Sequence, residues 1–148
     1  KEVATTKRNA ILCSFNIHTN FAVRSSLMEL VTSFENIETE NSSTPLEYLT
    51  SLKKYKFVLC PQGNGIDTHR IWEALLAKVV PVIIENDFSR NLKNLGIPVL
   101  ILKNWDELDS FTEDYINETY MKFEHMEFEK FISLKYWLDL IKASCHIT

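Results

Sequence analysis

The side chains best suited to bind a charged ligand fall into two short segments of the chain. The first segment supplies amides, an imidazole, a hydroxyl and a guanidinium: Asn16, His18, Thr19, Asn20 and Arg24. The second supplies glycines, an amide, cations and carboxylates: Gly63, Asn64, Gly65, Asp67, His69, Arg70 and Glu73. The chain has only 3 glycines in 148 residues, so two of them within three residues of each other mark a loop whose backbone approaches a ligand closely.

The chemistry of the second segment suits a phosphorylated ligand. A glycine loop that leads into a helix offers backbone N–H groups and the positive end of the helix dipole. His69 and Arg70 add charge-assisted hydrogen bonds to a diphosphate, and Glu73, one turn further, suits the two hydroxyls of a ribose. A glycine loop alone is usually a turn, and a Glu one turn from an Arg is usually a surface ion pair. The prediction therefore depends on these residues occurring together.

Apolar runs separated by amphipathic stretches must position both segments. They predict strands at residues 10–15, 36–40, 57–60, 79–84 and 98–102, the second of them a short edge strand. Helices are predicted at 21–34, at 44–54 with Thr44 as N-cap, after Asp67 as N-cap, and at 88–95. From Trp105 to the end the pattern is helical, with Asn104 as the cap of its first piece. The buried face of the second helix is predicted at three residues: Leu46, Leu49 and Leu52. A stripe is predicted on the last helix: Phe128, Phe131, Ile132, Leu138 and Ile141.

Strands that alternate with helices of about ten residues predict the α/β class with a parallel sheet. We expect a single Rossmann-like three-layer domain over residues 1–148, with a mostly parallel sheet of four to five strands and a helical C-terminal extension. Ligands of such sheets bind beyond the carboxyl ends of the strands, and both candidate segments follow a predicted strand.

Composition narrows the functional classes. A net charge of −4 argues against binding nucleic acid or anionic membrane, and no apolar run is long enough for an integral membrane segment. The 3 cysteines have no metal-ligand spacing, so buried free thiols in a reducing, cytoplasmic compartment are expected. The chain begins at Lys1 without Met, so the alternative is the lumen of the secretory pathway, for a domain cut from a longer membrane-anchored protein.

The segment from Lys56 to Asp87 resembles the donor-binding strand–loop–helix–strand of exostosin-like glycosyltransferases. The similarity is strongest over residues 65–75, which read Gly-Ile-Asp-Thr-His-Arg-Ile-Trp-Glu-Ala-Leu. Residues 13–20 with Arg24 are similar to the first strand and loop of the same half, and residues 134–137 to its closing helix. Fucosyltransferases of related architecture have a looser version of this unit. The resemblance implies the nucleotide-sugar-binding, C-terminal Rossmann-like half of a GT-B enzyme.

The resemblance also implies roles for the site residues. The donor would be a nucleoside diphosphate sugar and the acceptor a glycan, in a hexosyl- or deoxyhexosyltransferase that uses no metal and no cofactor. Gly63, Asn64 and Gly65 would line the diphosphate and sugar, with phosphate charge offset by His69, Arg70 and Arg24, and Glu73 would bind ribose. The donor-binding set is completed by Asn16, Thr19, Asn20 and Asp67. The catalytic base is not identified; Asp67 and His18 are the nearest candidates.

The chain departs from the family pattern in two respects. Lys78 stands where such sequences have Gly after the helix, and a left-handed backbone there would cost about 1 kcal/mol. The N-terminal half of a GT-B enzyme, which usually holds the acceptor site, is missing. An alternative is therefore a nucleotide-sugar-binding module without turnover. A flavodoxin-like interaction domain also fits the element order but leaves the two polar loops unexplained.

Overall fold

The protein is described here by a computed structural model that covers residues 7–16, 18–42, 44–63 and 69–129. Five strands form one parallel sheet in the order β2-β1-β3-β4-β5. The strands are β1 (Arg8–Cys13), β2 (Ile37–Thr39), β3 (Tyr55–Leu59), β4 (Val80–Ile84) and β5 (Leu100–Leu102). The helices are α1 (Phe21–Val31), α2 (Pro45–Leu52), α3 (His69–Leu76), α4 (Asp87–Asn94) and α5 (Glu113–Phe123), with a 3-10 helix at Trp105–Ser110. The predicted α/β class and parallel sheet are confirmed.

The central strands form the core because nearly all of their side chains are apolar. In β3, Phe57, Val58 and Leu59 are fully buried, as strands covered on both faces of a parallel sheet require. The edge strands β2 and β5 are only three residues long, which limits the backbone they expose for pairing with other chains. The predicted edge position of the second strand is confirmed.

The strand order changes direction between β1 and β3. From β1 the chain moves to one side to form β2, then crosses back so that β3, β4 and β5 extend the sheet on the other side. The loops that follow β1 and β3 therefore start at neighbouring strands and lead into different helices. This topological switch point is where open α/β sheets bind ligands.

Side-chain caps fix the starts of two helices beside the sheet. The Thr44 hydroxyl accepts a hydrogen bond from the Glu47 N–H at 3.2 Å and Pro45 follows, as predicted for α2. Asn86 and Ser89 form a reciprocal capping box at the start of α4.

One predicted helix face is wrong: Leu46 is 75% exposed, and the buried residues of α2 are Tyr48 and Leu52. The helical pattern predicted from Trp105 onward is present in two described pieces. A 3-10 helix ends at Ser110, and Thr112 then caps α5 by accepting a hydrogen bond from the Tyr115 N–H.

Several predictions fall outside the described residues. They are the Asp67 cap, the closing segment at 134–137 and the stripe beyond Phe128. Phe128 itself is buried against the core. Within the described part of the chain, no helix has the length and apolarity needed to cross a membrane.

Candidate functional site

Arg24 joins the two candidate loops. Its side chain leaves α1 and donates from Nε to the Gln62 carbonyl at 3.0 Å, from Nη1 to the Asn16 carbonyl at 2.9 Å and from Nη2 to the Pro61 carbonyl at 3.3 Å. The guanidinium also lies 5.4 Å from the centroid of the Phe15 ring. Only 4% of the residue is exposed. The structure thus brings together the two segments that the sequence singled out.

Gly63 lies directly against this guanidinium. A Cβ atom at position 63 would come within 3.1 Å of Arg24 Nη2 and 3.4 Å of the Thr19 methyl carbon. The first distance is shorter than ordinary van der Waals contact, so a larger residue would push the arginine aside. Glycine therefore permits a close approach between the β3 loop and α1.

A second guanidinium, that of Arg70 at the start of α3, lies near the first. It stacks over the Tyr48 ring with Cζ 4.3 Å from the centroid. Burial lowers the pKa of Arg24, and the positive charge of Arg70 lowers it further. Arginine stays protonated at any physiological pH, so two fixed positive charges share this end of the sheet. Such a field favours an anion between or beside them.

Glu73 lies one turn beyond Arg70 and is half-buried. Burial of the Tyr48 hydroxyl raises its pKa to about 12; Cys60 and, least of all, the charge of Glu73 raise this pKa further, whereas Arg70 lowers it. His69 is exposed as the first residue of α3. The carboxylate and the imidazole thus flank Arg70 on the same helix, as the sequence predicted.

The loop after β1 is ordered by its own hydrogen bonds. The Asn16 side chain accepts from the His18 N–H at 2.9 Å, and the Asn16 carbonyl accepts from the Thr19 N–H at 3.3 Å. His18 is exposed and stacks on Phe21 with 6.5 Å between ring centroids. Asn20 takes the left-handed conformation, with φ 52°, where α1 begins. Three further predicted site residues, Asn64, Gly65 and Asp67, lie outside the described residues.

An apolar cavity of about 330 Å³ adjoins the β3 loop, and the sequence did not predict it. Its walls come from the carboxyl ends of three strands, from α1, α3 and α4 and from the 3-10 helix. They include Cys60, Gln62, Ile71, Ile84, Phe88 and Trp105. Its size lies at the lower end of the range of small-molecule sites. Gln62 belongs to both the cavity and the loop held by Arg24, so the two features are continuous.

The polar residues of the cavity are Asn86, Ser89, Lys103 and Asn104. The side chains of Asn86 and Ser89 already bond to each other's backbone in the capping box of α4. These residues follow β4 and β5 just as the predicted site residues follow β1 and β3. The sequence analysis did not select them, although the rule that ligands lie beyond strand carboxyl ends is the signal that could have located them.

Cys60 is a wall residue of the cavity and is 4% exposed. Burial raises the pKa of its thiol to about 12, which favours the protonated thiol at neutral pH. Among the residues described, no group of three or more His, Cys, Asp or Glu side chains is placed to hold a metal ion.

Comparison with known proteins places the chain in a family. A model of the RXYLT1 C-terminal domain family matches residues 5–144. Ribitol-5-phosphate xylosyltransferase 1 of Danio rerio is 32% identical over 85 residues, which cover 50% of this chain and 20% of that protein. A probable glycosyltransferase of Arabidopsis thaliana is 28% identical over 89 residues, covering 56% of this chain and 19% of that protein. The chain thus spans about a fifth of the length of these curated relatives.

Proposed function

The chain belongs to the RXYLT1 C-terminal domain family, whose relatives include glycosyltransferases, and we propose that it forms the donor-binding part of such an enzyme. The donor is a nucleoside diphosphate sugar, and the reaction transfers the sugar to a glycan acceptor. The observation that carries the proposal is the meeting of Arg24, Gly63 and Arg70 at the switch point of the sheet.

The parts of the donor are assigned by chemistry. The diphosphate lies against the loop at Gly63, where backbone N–H groups and the charge of Arg70 are available. Glu73 accepts hydrogen bonds from the ribose hydroxyls. The flat nucleobase enters the apolar cavity between Phe88 and Trp105, which provides the aromatic lining that such a ring requires.

The chain's contribution to the reaction is stabilisation of the leaving group. As the bond between sugar and diphosphate breaks, negative charge accumulates on the diphosphate oxygens. Fixed guanidinium groups and N–H dipoles stabilise that charge without reorganising, which lowers the barrier. On this mechanism, neither a metal nor a cofactor takes part.

The next question is which sugar is transferred and where its acceptor binds. The sequence resemblance pointed to a hexose or deoxyhexose, whereas one relative is named for transfer of xylose, a pentose, to ribitol 5-phosphate. We propose transfer of a pentose or hexose. Because the chain spans about a fifth of these relatives, the acceptor site is assigned to a second half of the GT-B type.

A nucleotide-sugar-binding module without turnover is the second candidate. It is favoured by the described site, whose residues suit anion binding. The two candidates for a catalytic base are His18, which is exposed, and Asp67, which lies outside the described residues. The two candidates share the donor site and differ in whether the bound donor is consumed.

The test is a ligand panel measured by calorimetry. We expect one nucleoside diphosphate among UDP, GDP, CDP and ADP to bind at micromolar to millimolar concentration and its nucleoside to bind more weakly. The matching sugar donors are then assayed for hydrolysis and for transfer. Binding without consumption favours the module, and no binding of any diphosphate at millimolar concentration contradicts both candidates.

A further inference from the structure

Arg24 is a cation whose hydrogen bonds go to the protein itself. Three backbone carbonyls, those of Asn16, Pro61 and Gln62, accept hydrogen bonds from three different nitrogen atoms of its guanidinium. The group is buried under the loop and packs on Phe15. A residue whose role was to touch the ligand directly would instead present its donors outward.

The consequence for the loop follows from peptide geometry. In a trans peptide the C=O and the N–H point in opposite directions, and the described chain has no cis bond. Because the carbonyls of Pro61 and Gln62 point to Arg24, the N–H groups of Gln62 and Gly63 point away from it. Gln62 is exposed, so that direction is outward. Two successive N–H groups on one side of a loop form an anion-binding concavity.

We propose that Arg24 is a positioning residue, whose guanidinium orients the N–H groups of Gln62 and Gly63 toward the diphosphate of the ligand. The identity of that ligand rests on the proposed function, but the orientation of the two peptide groups does not. The fork of the guanidinium is needed because three carbonyls in different directions are held at once. Gly63 is needed because a Cβ there would come within 3.1 Å of Nη2.

The test uses inorganic pyrophosphate as the probe, so that it does not depend on the base or the sugar. In the ¹⁵N-labelled wild-type chain, we expect pyrophosphate to shift the amide resonances of Gln62 and Gly63. Arg24→Lys keeps a positive charge but loses the fork, and we expect its pyrophosphate affinity to fall by about tenfold or more. Gly63→Ala keeps Arg24, but the added methyl group displaces its guanidinium, and we expect a similar loss of pyrophosphate affinity.

The control is Arg90→Met, which removes a guanidinium that is half exposed and paired with Glu85 and Asp87. Its pyrophosphate affinity should match the wild type. If Arg24→Ala folds, low-millimolar guanidinium ion should restore pyrophosphate binding to it and leave Arg24→Lys unchanged. Rescue of this kind is not expected of a residue that only stabilises the fold.

The outcomes separate this inference from the proposed function. Wild-type affinity in Arg24→Lys, or no pyrophosphate-dependent shift at Gln62 and Gly63, overturns the positioning role. Pyrophosphate binding that follows the expected pattern, together with no binding of any nucleoside diphosphate, supports the positioning role and contradicts donor binding. If Arg24→Ala does not fold, the wild-type amide shifts and the Lys and Gly63 variants decide the matter.

Discussion

At the scale of single residues, Arg70 and Arg24 have different roles although both carry the same charge. Arg24 is buried and engaged with three carbonyls, whereas Arg70 is half-buried on the Tyr48 ring at the start of α3. Arg70 also lies at the N-terminal end of α3, where the helix dipole favours an anion. Arg70 is therefore the cation that we expect to contact the phosphates.

Replacing Arg70 with Ala tests that contact. We expect nucleoside diphosphate binding to weaken by about 1.5–3 kcal/mol, because a charge-assisted hydrogen bond is lost, while nucleoside binding changes little. Calorimetry with the diphosphate and the nucleoside measures both. Arg90→Ala serves as the matched control because Arg90 pairs with the exposed carboxylates of Glu85 and Asp87. Equal losses for the two ligands would show that Arg70 is structural.

The thiols of Cys13 and Cys60 give a second prediction at this scale. Both residues are buried, and burial raises the pKa of each thiol to about 12. Since the thiolate is the reactive form, we expect neither to react with a disulfide reagent in the folded protein at pH 8. The measurement uses a Cys145→Ser background, so that only these two thiols count. In urea both should react; rapid reaction of the folded chain at either position would contradict the burial.

At the scale of elements, α3 and α4 end in the same motif with different residues. Lys78 has φ 59° and donates to the Leu75 carbonyl, while the next N–H, that of Val79, reaches back to Ala74 at 2.9 Å. Gly96, with φ 81°, occupies the equivalent position after α4. These are Schellman ends, in which the left-handed residue is usually glycine. The departure noted in the sequence is therefore a strained lysine.

Lys78→Gly should remove this strain. We expect the free energy of unfolding to rise by about 1 kcal/mol, since a left-handed non-glycine residue costs that much. Lys78→Ala is the control, because it keeps the strain and loses only the exposed pairing with Glu129, which is worth little. Gly96→Ala should destabilise by a similar amount. Urea denaturation measures all three, and no gain in Lys78→Gly would contradict the strain.

The elements also show what sequence patterns could and could not predict. The buried strands were predictable because a short continuous apolar run in an α/β chain indicates a strand that is covered on both faces of the sheet. The buried face of α2 was not, because Leu46, Leu49 and Leu52 are spaced by three, and each such step drifts about 60° around a helix. Tyr48 and Leu52, spaced by four, face the sheet instead. Thr112, followed by two acidic residues, was a cap signal for a new helix that the apolar pattern obscured.

The candidate site was predictable to a similar extent. Arg24 and Gly63 each follow a predicted strand, and parallel strands bring their carboxyl ends to the same end of the sheet. The sequence therefore predicted that the two residues lie close together. The sequence could not tell that Arg24 faces inward, since that depends on which carbonyls it meets in three dimensions. The cavity at Phe88 and Trp105 was also missed, because its walls are apolar residues drawn from distant elements.

At the scale of the whole molecule, Lys7 connects elements that lie far apart in the chain. Its Nζ donates to the carbonyls of Lys53 at 3.0 Å, Tyr55 at 3.1 Å and Ala77 at 3.4 Å. It thereby joins the start of β1 to the ends of α2 and α3, at the amino-terminal end of the strands, opposite the candidate site. Burial, followed by the charges of Lys53 and Lys78, lowers the pKa of Lys7 to about 8.

This pKa predicts how global stability depends on pH. Between the folded pKa of about 8 and the ordinary lysine pKa of 10.5, the unfolded chain binds the Lys7 proton and the folded chain does not, so stability rises with pH. The thiols of Cys13 and Cys60 have the opposite effect on stability. In the unfolded chain they lose their protons around pH 9.0, whereas in the folded chain they keep them up to about pH 12, so stability falls between these two pH values. Urea midpoints at constant ionic strength should therefore rise above about pH 8 and turn over near about pH 9. Lys7→Met should remove the rise and leave the fall; an unchanged slope between these pH values would show that Lys7 titrates normally.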